Sequence, residues 1–283
     1  MGKTRTPPQL QSPQLQFPFT PTDTSQPNVR NCGPLLDPGW DNWLLMYSNA
    51  VLRNKIIDII HYGELIGCPC PLHLIIGEIL QLAHNNSTSI MKDIEKRAST
   101  SQILRLPTLP AAYVASQHGL VLKQDGTWRK IHHLLSPSCR SVNDYMPQGW
   151  GTLTYTKVDD AVGAVRTGSP GQVLLNRHIA DAFHHITVHS DNRWLQGCNS
   201  MGTWWWNLFL PCGYSTSPAI FDIFASALDW MLQTHKGWDH TLHYLYKFLA
   251  IFLHSATFSD APNRYKRDFS QIHCDLGFRV KLE

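Results

Sequence analysis

The sequence has no long hydrophobic run, and its longest unbroken apolar stretch is Phe248–Leu253. A helix needs roughly 20 apolar residues to span a bilayer, so no transmembrane segment is predicted. The first residues, MGKTRTPPQLQSPQ, also lack the apolar stretch of a secretory signal. These absences predict a soluble intracellular protein that has no membrane partner.

Charge is also scarce, because only 16% of the 283 residues are charged and the net charge is +3. The sequence has neither a Gly-X-Y period nor sustained heptads, which excludes collagen-like and coiled-coil chains. A hydrophobic content of 43%, with ten tryptophans, excludes disorder for most of the chain and supplies a core for one large or two modest domains. The mildly basic pI near 8.4 permits a nucleic-acid partner without requiring one.

Evidence for a metal site is weak in the sequence itself. The seven cysteines are odd in number and widely scattered, which argues against a disulfide framework. Cys68-Pro-Cys70 has no second ligand pair at zinc-finger spacing. His185 and His189 stand four apart, but the run HHITVHS favours a strand, which would separate them by about 13 Å. We therefore interpret these histidines as core or surface residues and predict no metal.

The chain begins with a tail, residues 1–36, that contains many Pro, Gln, Ser and Thr residues and is predicted to be flexible. Three helices are then predicted from apolar spacing: Asn49–His61, Leu72–His84 and Met91–Leu104.

Strand signals follow from about Ala111. Gln124-Asp125-Gly126 separates two apolar runs and predicts a hairpin. A short buried strand is expected at Val173–Leu175, continuing towards Phe183, and further strands at Trp194–Cys198 and Thr203–Phe209. Ser217 as N-cap and Pro218 predict the start of a helix that ends before Gly237. Helices followed by a mixed strand region predict an α+β fold.

Four segments of the chain occur in an order that resembles the successive motifs of reverse transcriptases. They are Lys123–Asp144, Leu174–Gly197, Leu208–Leu228 and Leu242–Leu249. The resemblance is closest to retrotransposons of the DIRS type, which carry a tyrosine recombinase. It implies a right-hand polymerase fold with an antiparallel palm sheet backed by helices. The implied regions are a fingers-like part at 37–170, a palm-like core at 171–253, and a palm end with a truncated thumb at 254–283.

The resemblance also implies RNA-directed DNA polymerase chemistry, in which two Mg²⁺ ions are held by three aspartates of the palm. In this sequence the three aspartate positions are His178, Tyr246 and Lys247. At about 4 Å and an effective dielectric near 20, a lysine ammonium repels one divalent ion by roughly 8 kcal/mol. We therefore expect a degenerate, catalytically inactive copy without Mg²⁺.

Other positions of the motifs retain suitable residue types. The resemblance implies that Lys123 and Arg129 bind the triphosphate of the incoming nucleotide. It also implies that Asp181 and the adjacent Ala182 position that nucleotide. Phe183 matches the aromatic residue that excludes a 2′-hydroxyl. Gly213 matches the turn that contacts template and nucleotide.

These matches imply RNA or DNA template–primer and deoxynucleotide as weak partners. The alternatives are an active polymerase with unusual metal ligands, or an interaction protein whose cleft no longer contacts nucleic acid.

Overall fold

The computed structural model describes residues 33–68, 74–77, 84–124, 126, 128–135, 141–146, 153–168, 170–252 and 260–281. The predicted tail falls outside these ranges except for residues 33–36. The described α-helices are α1 (Asp37–Trp43), α2 (Ala50–Tyr62), α3 (Ser87–Ser99), α4 (Val158–Arg166), α5 (Ser217–Lys236) and α6 (Ala261–Leu276). None of these helices combines the length and apolarity that crossing a bilayer requires.

The described strands form three sheets, and together with the helices they confirm the α+β prediction. A five-stranded sheet has the order β1 (Leu74–Ile76), β3 (Tyr113–Ala115), β7 (Gly197–Ser200), β8 (Thr203–Asn207), β2 (Ile103–Leu106). A three-stranded antiparallel sheet has the order β6 (Val173–His178), β10 (Lys247–Phe252), β9 (Thr241–Tyr244). The strands β4 (Gln117–Leu122) and β5 (Trp128–His133) form the predicted hairpin.

Helix α5 packs on the three-stranded sheet and supplies much of the main core. Its buried residues recur at helical spacing, because one face of an amphipathic helix must cover the sheet. The residues are Ile220, Phe221, Phe224, Ala227, Leu228 and Met231. The predicted N-cap is wrong by one residue: the N-cap is Thr216, and the Ser217 hydroxyl instead donates to the Pro211 carbonyl at 2.8 Å. Gly237 ends the helix in the left-handed conformation, as Gly commonly does.

Two helix predictions fail in part. Within the segment predicted as a helix at Leu72–His84, residues 74–76 form β1, which pairs in parallel with β3. The segment Met91–Leu104 divides between α3 and β2, since α3 ends at Ser99 and β2 pairs with β8. In both places a sheet partner distant in sequence overrides the local apolar spacing.

Strand boundaries around the histidine-rich run also differ from the predictions. The predicted burial of Val173–Leu175 is wrong, because β6 is an edge strand and leaves Val173 and Leu174 exposed. Strand β6 ends at His178, and residues 182–185 form a short 3-10 helix. A second 3-10 helix, Ser190–Gln196, occupies the predicted start of the strand at Trp194, so β7 begins at Gly197.

Candidate functional site

The hairpin β9–β10 brings His178, Tyr246 and Lys247 together beside β6. In the antiparallel register His178 lies opposite Lys247, and the amide of Ile179 donates to the Tyr246 carbonyl at 2.9 Å. The rings of His178 and Tyr246 stack at 4.9 Å between centroids, with 24° between their planes. We call these three residues, together with the neighbouring Asp181, Arg279 and Lys281, the hairpin end of the sheet.

The turn of this hairpin is formed by Leu245 and Tyr246. Leu245 has a φ of 52°, and Lys247 is already paired with Tyr244 as the first residue of β10. Residues other than glycine seldom adopt this left-handed conformation. The next residue of the turn, Tyr246, packs its ring on His178 and Phe183.

A segment after α6 lines the other side of β6. Val280 forms a bridge with Ile179, the Ala180 amide donates to the Arg279 carbonyl at 2.8 Å, and the Lys281 amide donates to the His178 carbonyl at 2.9 Å. Lys247, Arg279 and Lys281 are exposed, and they lie on the two chain segments that pair with β6. The described part of the hairpin end therefore includes three exposed cationic residues.

Asp181 is a carboxylate that follows His178 by three residues. It adopts a left-handed backbone conformation, with φ of 49°, and its Oδ2 atom lies 3.7 Å from Nη2 of Arg279. Both side chains are about half exposed or more, so this ion pair contributes little to stability. Asp181 offsets one of the three positive charges.

The chain enters the core at Ala182 and Phe183, which follow Asp181. Both are buried. The Phe183 ring makes edge-to-face contacts with Phe221 at 5.9 Å and with Tyr246 at 6.2 Å. Phe183 thus supports the Tyr246 ring from the core side.

Lys123, Arg129 and Gly213 belong to a different part of the structure from His178. Lys123 is exposed at the turn of the β4–β5 hairpin, and Arg129 lies opposite Val121 in that hairpin. Gly213 packs so closely on β5 that a Cβ atom there would overlap the carbonyl oxygen of His132. Gly213 thereby connects the base of the β4–β5 hairpin with the turn before α5.

The residues of the hairpin end do not fit a pair of magnesium ions. Mg²⁺ prefers oxygen ligands in octahedral geometry, whereas this end presents an imidazole, a phenol and an ammonium group. Within the described residues, the one group of three His, Cys, Asp or Glu ligand atoms close enough to hold a metal lies elsewhere, at His118, His132 and Cys198.

Sequence reasoning missed that cluster, although the hairpin prediction contained a signal for it. Once residues 120–122 are paired with the strand that begins at Trp128, His118 and His132 must lie opposite one another. Cys198 joins them only through the packing of the hairpin on β7, which no local pattern reveals.

Sequence reasoning also missed a buried polar network between α5 and β9. His243 lies between two carboxylates, with Nε2 at 3.4 Å from Asp222 and Nδ1 at 3.6 Å from Asp229. The Thr241 hydroxyl donates to Asp229 at 2.6 Å, and the Gln233 amide donates to it at 2.9 Å. Burial alone would lower the pKa of His243, but its two carboxylate partners raise that pKa to about 9.

The comparisons with known proteins find no match by sequence, either to a family model or to a curated protein. Solved structures do match. The native protease–reverse transcriptase of prototype foamy virus superposes with a TM-score of 0.55 and 18% identity over 77% of this chain and 26% of its own. A foamy viral protease–reverse transcriptase in complex with double-stranded DNA gives 0.54 and 15% identity over 93% and 45% of the two chains.

A third structure, the foamy viral enzyme in complex with an RNA/DNA hybrid, gives a TM-score of 0.53 and 15% identity, with 90% and 34% coverage. The chain thus spans between about a quarter and a half of the length of these proteins. At such low identity the likeness establishes the fold alone. The chain has a reverse-transcriptase-like fold.

Proposed function

We propose that this chain is a retrotransposon-derived reverse-transcriptase-like domain that does not catalyse nucleotidyl transfer and that binds nucleic acid through the hairpin end of its three-stranded sheet. The order of the four sequence motifs supports the retrotransposon origin. The observation that carries the proposal is the packing of His178 on Tyr246, directly beside Lys247, at the positions where the resemblance implies three aspartates.

The charge balance of the hairpin end favours phosphate over metal. Among the described residues there, Lys247, Arg279 and Lys281 contribute three positive charges, and Asp181 contributes one negative charge. A divalent cation is repelled by this arrangement, whereas the phosphates of a duplex are attracted. The foamy-virus proteins of the same fold were solved with double-stranded DNA and with an RNA/DNA hybrid, which makes a duplex the natural ligand to test.

Loss of catalysis is tested by primer extension on an RNA template with Mg²⁺ or Mn²⁺, and an active reverse transcriptase is the positive control. We expect no template-dependent product. The proposal is wrong if the chain makes such a product and His178→Ala abolishes it. The variant with Asp at positions 178, 246 and 247 sharpens the test: it should gain Mg²⁺ affinity in calorimetry, because three carboxylates then replace the present groups.

Binding is tested by measuring the affinity for an RNA/DNA hybrid against salt concentration. We expect log K to fall linearly with log salt, because binding releases counterions from the phosphates. Lys247→Ala should weaken binding and reduce the slope by about 1. Lys266→Ala, on the exposed face of α6, is the matched control and should change neither. An absence of binding at low salt would leave the interaction-protein alternative.

A further inference from the structure

His118, His132 and Cys198 meet where the β4–β5 hairpin packs on the five-stranded sheet. His118 and His132 are directly paired across the hairpin, and their rings lie 4.9 Å apart. Cys198 is on β7. The candidate ligand atoms of the three residues all lie within 4.8 Å of one another.

The two histidines present buried nitrogen atoms that no protein group satisfies. His118 is only 2% exposed, and neither its Nε2 atom nor that of His132 has a hydrogen-bond partner. Buried polar atoms without partners cost free energy, and most such atoms in folded proteins are paired. Cys198, also 2% exposed, is a free thiol among apolar neighbours that include Leu120 and Trp205.

We propose that His118, His132 and Cys198 bind a single zinc ion. Imidazole nitrogen and thiolate sulfur are the ligands that zinc prefers, and three protein ligands with a water in the fourth position form a tetrahedral site. Zinc–ligand distances of about 2.0 to 2.3 Å place tetrahedral ligand atoms roughly 3.4 to 3.7 Å apart. A closure of about 1 Å by side-chain rotation is therefore sufficient.

Zinc binds the thiolate form of cysteine and the neutral form of histidine. Binding then displaces one proton, from the Cys198 thiol to solvent, as the sulfur–zinc bond forms.

The charged groups around the cluster are already engaged with one another. Asp93 Oδ2 lies 2.9 Å from both Lys130 Nζ and Arg97 Nε, and Arg97 Nη1 lies 2.7 Å from His184 Nε2. Lys130 and Arg97 would repel a cation bound at the cluster, and the Asp93 carboxylate offsets part of that repulsion. Because His184 contacts Arg97, water is the better fourth ligand.

A zinc ion here would connect two sheets that share no described strand pairing. His118 and His132 belong to the β4–β5 hairpin, and Cys198 belongs to the five-stranded sheet. The ion would hold the hairpin against the sheet, independently of whether the chain binds nucleic acid.

The test uses the full chain, freed of metal with a chelator and then titrated with zinc. We expect one ion per chain and an increase of roughly 5 °C or more in the unfolding temperature. X-ray absorption at the zinc edge should report one sulfur and two imidazole nitrogens. Cys198→Ser and His132→Gln should each lose most of the affinity, whereas Cys274→Ser, at an exposed cysteine of α6, should retain it.

Three results would overturn the proposal. They are an absence of stoichiometric zinc, zinc binding that Cys198→Ser leaves unchanged, and an absorption spectrum with two or more sulfurs, which would indicate a pair such as Cys68 and Cys70. The absorption measurement requires only the unaltered chain, so it tests the proposed ligand set even if the variants fail to fold.

Discussion

Two regions of this molecule bury histidine in opposite charge states. In the three-stranded sheet, His243 lies between Asp222 and Asp229, and those carboxylates raise its pKa to about 9. Where the β4–β5 hairpin meets the rest of the chain, burial lowers the pKa of His132 and of His184 to about 3. The first histidine is a cation at neutral pH, and the other two are neutral.

The difference shows that the partners of a buried imidazole decide its charge, since desolvation opposes the charged form in both regions. It also bears on the candidate site. Carboxylates are available beside the three-stranded sheet, where Asp222 and Asp229 both contact His243. The sheet thus retains acidic residues while its hairpin end is cationic.

The largest expected effect is a loss of stability in acid. Burial lowers the pKa of five histidines (His118, His132, His184, His185 and His273) below the ordinary value of 6.5. The unfolded chain therefore binds protons below pH 6.5 that the folded chain does not, at about 1.4 kcal/mol per group and pH unit. Urea unfolding with a chelator present should show that the free energy of unfolding falls steeply between pH 6.5 and 5.5. A free energy that stays unchanged over this range would contradict these assignments.

A smaller effect of opposite direction is expected in alkali. Because the folded pKa of His243 lies above 6.5, its stabilisation is fully present below pH 6.5 and is lost as the pH rises through about 9. The loss should approach about 3 kcal/mol. The double variant Asp222→Asn/Asp229→Asn should be less stable at pH 6.5 and should lack this alkaline decline. A decline that persists in the double variant would have another origin.

The smallest effect concerns the stack of the His178 ring on Tyr246. His178→Ala should lower the free energy of unfolding by about 1 kcal/mol through loss of the stack on Tyr246. A double-mutant cycle with Tyr246→Ala should give a coupling of about 0.5 to 1.5 kcal/mol. Additive effects of the two substitutions would show that the stacked geometry contributes no stability.

Local patterns predicted the elements whose signals are strong over several residues. The apolar stripe of α5, bounded by Pro218 and Gly237, specified both the helix and its buried face. The Asp125-Gly126 pair in the sequence predicted the β4–β5 hairpin. The juxtaposition of His178 with Lys247 followed from the resemblance, because both lie in motifs that form adjacent strands of that fold.

Other features depended on partners distant in sequence. The apolar spacing around Leu74–Ile76 predicts a helix. The segment forms a strand instead, because it pairs in parallel with Tyr113–Ala115. A short apolar run fits either element, so the available partner decides between them.

By itself the sequence determined the α+β class, the helix and hairpin signals, and the absence of three aspartates from the motif positions, since residue identity and short-range spacing carry that information. Only the tertiary structure decided which side chains meet. It placed Cys198 beside His118 and His132, set His243 between two carboxylates, and brought Lys247, Arg279 and Lys281 onto the segments that pair with β6. Such groupings arise from strand register and helix packing, which bring together residues dozens of positions apart.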